Sequence, residues 1–240
     1  VIRRRRESIS AVFLAGRRTG GEKTRSWKQI WRSIKIYWYV FEPKFFFWAM
    51  FLELRSLLFG SYDPRSVEGV ARTFDIPLYY IDDANGHAFQ SLLKSLDVDL
   101  VLNQSELLLK EETLGIPRLG FINRHASILP HFRGRMASFW AHAHEPPSYG
   151  VTIHFVDTGI DTGDIILQRE FPEVDPRWDY GRIMVYMQRH APELFWRACK
   201  LLEDPSFSPT KQKSSREKPY KFPRLKDALE YSNTMKKRRS

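Results

Sequence analysis

The stretch INRHASILPHFRG, residues 122–134, decides how the rest of the chain is read. Asn123, His125 and Ser127 stand at alternate positions. In a strand, alternate side chains share a face, so an amide, an imidazole and a hydroxyl are aimed the same way. The apolar LGFI (119–122) that leads into them reads as a buried strand. Leu129-Pro130 and Arg133-Gly134 behind them read as the turns that end it. A strand that finishes on three aligned polar groups sets a site at its carboxyl end.

Outward from this stretch, strands and helices alternate. SISAVFLAG (8–16) is a short apolar strand closed by glycine. SVEGVARTFD (66–75) is helical and IPLYYI (76–81) is a strand; HAFQSLLKSLD (87–97) is helical and VDLVLNQ (98–104) is a strand. LGFINRHA (119–126) is followed by a helix in RMASFWAHAH (135–144), then by two strands, GVTIHFVD (150–157) and DIILQREF (164–171). A helix covers 179–203, with Pro192 expected to kink it. The alternation predicts an α/β fold with a doubly wound, Rossmann-like, mostly parallel sheet. The short link between the last two strands predicts an antiparallel edge. In such a sheet a ligand lies outside the carboxyl ends of the strands, where 123–127 fall.

Residues 27–59, WKQIWRSIKIYWYVFEPKFFFWAMFLELRSLLF, predict an aromatic helical insertion near the N-terminus. Pro43 suits the first turn of its second helix. Phe47, Phe51, Leu54 and Leu58 share one face, and Phe45, Trp48 and Leu52 a neighbouring one. Glu53 and Arg55 break the run, which falls short of the roughly 20 residues that span a bilayer. Core, or a subunit contact in a homodimer, is preferred here over a peripheral membrane contact. Residues 204–240 are polar, proline-interrupted and basic, and read as an extended C-terminal tail. The expected division is therefore 1–203, with 27–59 inserted in it, and the tail 204–240.

Composition limits the function classes. The chain has 240 residues, 42% hydrophobic and 14% aromatic, which excludes global disorder. The single cysteine, Cys199, excludes an internal disulfide framework and a cysteine-based zinc site, and favours a reducing, cytoplasmic setting. The net charge of +10 suits an anionic partner, although RRRR (3–6) and KKRRS (236–240) carry part of it. SISAVFLAG is too short for a secretory signal. GRRTGGEKT (16–24) is not a phosphate loop, since Glu22 rather than lysine follows Gly21; it reads as a flexible basic loop. His131, His142, His144 and His154 crowd one region, but His142 and His144 are two apart on a helix and cannot share a face. No metal is expected.

A second polar cluster follows the next strand. In VDTGIDTGD (156–164), Asp157, Asp161 and Asp164 are separated by glycines that let backbone approach a ligand. NRHASILPHFRG together with GVTIHFVDTGIDTGDII resembles the tetrahydrofolate-dependent formyltransferase family. That family includes glycinamide ribonucleotide transformylase, methionyl-tRNA formyltransferase and the sugar-nucleotide N-formyltransferases. The resemblance covers about 76–172 well and 8–16 weakly, and makes 1–203 a formyltransferase catalytic domain. It implies N10-formyltetrahydrofolate as co-substrate and Asn123, His125 and Asp161 as catalytic residues. It also implies a folate pocket along Leu107, Leu108 and Leu109, with Ser127, Leu129, Pro130, Asp157, Gly159 and Gly163. Glu106 stands where relatives often have glycine, and Lys110 where they have proline. His154 matches a histidine of some relatives, and Arg133 braces its loop.

The residue chemistry agrees with that assignment. Formyl transfer to an amine develops an oxyanion, which needs hydrogen-bond donors. The Asn123 amide donates without titrating. His125 can donate as imidazolium or move a proton between the amine and the leaving nitrogen. Asp161 would stabilise the imidazolium and could accept the amine proton. On this reading the two side chains point the same way because both face one oxyanion. SFWAHAHEPPSYGVTIHF (138–155) is more similar to the sugar-formylating branch, so the expected acceptor is a nucleotide-linked amino sugar. The tail 204–240 is too short for the tRNA-binding barrel of methionyl-tRNA formyltransferases, which makes tRNA the second choice. Hydrolysis of formyltetrahydrofolate and a non-catalytic, folate-binding role are the remaining alternatives.

Overall fold

A computed structural model describes residues 8–15, 27–41, 43–59, 66–213 and 217–240. The RRRR run and the GRRTGGEKT loop lie outside the described residues. Strand β1 (Val12–Ala15) pairs in parallel with β2 (Leu78–Ile81). Strand β3 (Val101–Asn103) pairs in parallel with β4 (Phe121–His125), which pairs antiparallel with β5 (Gly150–Phe155). Strand β6 (Ile165–Glu170) closes that sheet, antiparallel to β5. Phe13 and Ile81 of the first pair pack into one cluster with Val101 and Phe121 of the second, so one core joins both. The fold is Rossmann-like α/β.

The reversal comes one strand earlier than the sequence predicts. β5 runs against β4 as well as against β6. The β4–β5 connection holds only a seven-residue helix, α6 (Ala137–Ala143). It returns the chain beside the end of β4, where Thr152 faces His125 across the ladder.

Strand alternation sorts the sheet into two faces. Ile122, Val151 and Ile153 are fully buried on one of them. They pack on α7 (Tyr180–Glu203), whose Ile183, Met187, Leu194 and Ala198 recur at helical spacing. Asn123, His125, Thr152 and His154 belong to the other face. Helix α7 runs on through Pro192. Asp179 caps it, accepting from Arg182 N at 2.7 Å. The shorter helices α3 (Val67–Thr73), α4 (His87–Ser95) and α5 (Glu111–Leu114) connect the parallel strands.

Two expectations about the appendages change. Helices α1 (Trp27–Val40) and α2 (Pro43–Phe59) form as predicted. Burial, however, reaches only one side of α1: Ile36, Val40 and the following Phe41 are buried, while Trp27, Trp31, Ile34 and Trp38 are exposed. The C-terminal segment is not extended throughout, because Leu225–Arg239 forms α8. Ala228, Tyr231 and Met235 lie one helical face apart and are buried against α1, beside Phe139 and Tyr180. The four closing cations hide that face in the sequence, and they suit the carboxyl end of a helix.

Candidate active site

The site grows from the ends of β3 and β4. Asn103 and Asn123 are register partners, so the next residue of β3, Gln104, lies beside Asn123 and Arg124. Arg124 Nε donates to Gln104 Oε1 at 3.2 Å, and Gln104 Nε2 donates to Asn123 Oδ1 at 2.9 Å. A guanidinium has no acceptor, so Gln104 must offer it the oxygen and keep its NH₂ for Asn123. Asn123 then accepts through Oδ1, and both hydrogens of its Nδ2 are left for a ligand.

His125 ends β4 and is 5% exposed. Its Nε2 donates to Phe132 O at 3.0 Å, and its Nδ1 lies 3.4 Å from Asp161 Oδ2. His154, on β5 opposite Asn123, sends Nδ1–H to Phe155 O at 2.7 Å. Its buried Nε2 has no hydrogen-bond partner and stands 3.6 Å from Asp161 Oδ1. Each neutral imidazole has one N–H, and in both rings a backbone carbonyl takes it. Two nitrogen lone pairs therefore flank one carboxylate. Such a cluster is incomplete until a proton enters it, when an N–H···O contact replaces a lone-pair repulsion.

Burial is the largest influence on both histidines and pushes each below the ordinary imidazole value. The Asp161 carboxylate pulls both the other way without winning. The resting rings are neutral, and Asp161 is the group that would favour a proton on either.

Asp161 is held by the backbone around it. It adopts φ +52, and Gly134 N donates to its Oδ2 at 2.8 Å. Gly134 has φ +98, and a Cβ there would strike Tyr220 O, so the Arg-Gly turn needs glycine. Gln212 Nε2 donates to Asp161 O at 3.2 Å and to Gly163 O at 2.6 Å. The segments 204–213 and 217–224 thus strap the site: Thr210 bridges Ile165, Gln212 ties the Asp161 loop, and Tyr220 pairs with Gly134.

The predicted residues divide. Asn123, His125 and Asp161 come together, with His154 as a fourth. His125 has Phe132 O at one ring nitrogen and Asp161 at the other, so of the two side chains Asn123 is the one with N–H donors left for a ligand. Ser127 does not share their cleft-facing role. It is 1% exposed and its Oγ donates to His131 O at 3.2 Å. Leu129 is buried, with its N–H on Thr152 Oγ1 and its carbonyl on Gln168, and its bond to Pro130 is cis. Asp157 folds its own loop, accepting from Gly159 N and from Thr162 Oγ1. Gly163 is buried against Phe155 O.

The β3–α5 loop offers a different surface. Leu107 and Leu108 are exposed while Leu109 enters the core. Asn85 clamps this stretch, donating to Leu108 O and accepting from Lys110 N. Leu107 and Leu108 form an exposed apolar shelf on the loop that follows β3. Gln104, Asn85 and Gln212 escaped sequence reasoning. Only Gln104, directly after a parallel strand in register with β4, carried a local signal.

A family pattern described as formyl transferase matches residues 66–199. Methionyl-tRNA formyltransferase of Syntrophus aciditrophicus is 34% identical over 138 residues, 57% of this chain and 44% of that protein. The Deinococcus radiodurans enzyme of the same name is 32% identical over 142 residues, 58% of this chain and 44% of the relative. The chain spans less than half the length of these curated relatives. Glycinamide ribonucleotide transformylase 1 from Symbiobacterium toebii shares the fold with a TM-score of 0.52 at 24% identity, covering 62% of this chain and 78% of that one. Phosphoribosylglycinamide formyltransferase from Bacillus halodurans gives 0.52 at 25% identity, over 60% and 80%.

Proposed function

The chain belongs to the formyl transferase family, and from that premise we propose that it moves a formyl group from N10-formyltetrahydrofolate to a primary amine. The observation that carries the reading is one carboxylate, Asp161, set between His125 and His154. N10-formyltetrahydrofolate supplies the carbonyl carbon that the amine attacks. Asn123 Nδ2 donates to the formyl oxygen as negative charge grows there. The ammonium formed by attack gives its proton to the Asp161–His125–His154 cluster. That proton passes to N10 as the N10–C bond breaks, leaving a formamide and tetrahydrofolate. Leu107 and Leu108 hold the folate ring from the β3–α5 loop, and the 157–163 loop closes the other side.

The acceptor in this reading is the amine of a nucleotide-linked amino sugar. The 138–155 stretch and the basic charge, which suits a diphosphate, support it. The methionyl-tRNA formyltransferases among the relatives favour methionyl-tRNA as the second reading. A product assay with formyltetrahydrofolate, a panel of amino-sugar nucleotides and methionyl-tRNA decides between them. Formamide on a sugar nucleotide supports the first acceptor. Formyl-methionyl-tRNA replaces it with the second. Loss of the donor formyl group to water alone, with every amine left free, removes transferase activity altogether.

A further inference from the structure

Helices α1 and α2 expose an apolar surface that the proposed reaction does not use. On α1, Trp27, Trp31, Ile34 and Trp38 fall within one narrow helical sector, and Trp27 is 77% exposed. On α2, Phe47, Met50, Phe51 and Leu54 form a second exposed stripe, with Phe51 at 61%. Rings join the two stripes, since Trp38 meets Phe46 edge-on at 5.8 Å and Phe46 meets Phe47 at 5.8 Å. The opposite side of α1, through Ile36 and Val40, is committed to α8 and the body of the protein. The exposed stripes are therefore an outward face and not a loosely packed core. A continuous patch of this kind marks an interaction site.

Charge selects the occupant. Helix α1 contains no acidic residue, and Arg32 and Lys35 are exposed on it. Along α2 a groove of about 600 Å³ opens against α7. Phe45, Trp48, Trp178 and Tyr186 line it together with the cations Arg182 and Arg189 and one acid, Asp179, whose carboxylate is engaged in capping α7. A second copy of the chain would set its own Arg32, Lys35, Arg182 and Arg189 against the same cations. An anionic bilayer supplies the opposite charge, and tryptophan and tyrosine beside cations are suited to its headgroup layer. The helices have 14 and 17 residues, and among the described residues no helix is long and apolar enough to cross a membrane.

We infer that the α1–α2 hairpin lies in the plane of an anionic membrane surface, with its aromatic stripes among the acyl-chain boundary and Arg182 and Arg189 beside lipid phosphates. The hairpin inserts without unfolding, because the side chains that enter the lipid make no part of the core. Attraction by the cations brings the protein to the surface, and the buried aromatic area keeps it there when salt screens the charges.

The test is flotation of the whole chain with vesicles of equimolar phosphatidylglycerol and phosphatidylcholine, and with phosphatidylcholine alone. The expected result is co-flotation with the anionic vesicles that survives high salt. In the double variant Trp31→Ser, Phe51→Ser it falls by about ten-fold or more, as the lost apolar area implies, while the melting temperature is kept. If that variant misfolds, quenching of wild-type tryptophan fluorescence by lipids brominated near the headgroup gives the answer without a mutation. Absence of co-flotation and quenching overturns the inference, as does binding that the double variant leaves intact. A wild-type dimer in light scattering that the double variant makes monomeric, with no vesicle binding, assigns the face to a second copy instead.

Discussion

The amide of Asn123 can present either end to a substrate, and its use depends on which. The Arg124–Gln104–Asn123 chain settles the matter by donor and acceptor inventory alone. Gln104→Glu has the same shape and adds an ion pair with Arg124, but it can only accept. Asn123 must then turn Nδ2 toward it and show the substrate an oxygen. Turnover is expected to fall by about 10² to 10³, the usual cost of one lost oxyanion donor. Melting temperature should hold or rise. Gln104→Ala, which removes the bond without reversing it, should lose less activity. Kinetics and thermal melts of the two variants check this, and greater harm from Gln104→Ala would mean a packing role only.

At the scale of elements, α8 is where the fold departs most from its sequence. Met235 is 5% exposed against α1, so Met235→Ala should cost about 2–5 kcal/mol and lower the melting temperature by several degrees. Leu229→Ala, at a position 40% exposed, should change it little. Differential scanning of both variants tests the packing. The strands, by contrast, were legible, because alternation and bounding turns are local signals and all six form close to their expected places. The meeting of His125 and Asp161 was legible for a similar reason, in two compact motifs. What escaped depended on distant pairing or on a left-handed backbone turn. Gln212 reaches Asp161 across 51 residues, and Phe132, at φ +53, turns its carbonyl onto His125. Nothing within either segment announces such a contact. The aromatic stripes showed the opposite failure, since their periodicity was plain but periodicity does not say which face is covered.

Over the whole molecule, three buried histidines make stability depend on pH. Burial lowers His125 and His154, and burial with Arg238 and Arg239 nearby takes His142 down to about 3. Below about pH 6.5 the unfolded chain binds protons that the folded one refuses, so stability is full above that value and falls on acidification. Each histidine contributes a slope of up to about 1.4 kcal/mol per pH unit, and for His142 the loss continues to about pH 3. Urea midpoints measured from pH 7.5 to 5 should decline, and His142→Gln should flatten the decline. Two of the three, His125 and His154, also supply the lone pairs that give the Asp161 cluster its place for a proton, so fold and proposed chemistry draw on one arrangement. The most direct measurement of that claim is single-turnover formyl transfer by wild type, His125→Ala and Asp161→Asn, with folate affinity measured by calorimetry on each. Wild type should transfer the formyl group to an amine, and each variant should be slower by about 10² to 10⁴ at nearly unchanged affinity. The double variant should be little worse than either single, because the residues serve one proton. A wild type that transfers to no amine, or a His125→Ala or Asp161→Asn enzyme that keeps more than about a tenth of wild-type turnover, would contradict the account.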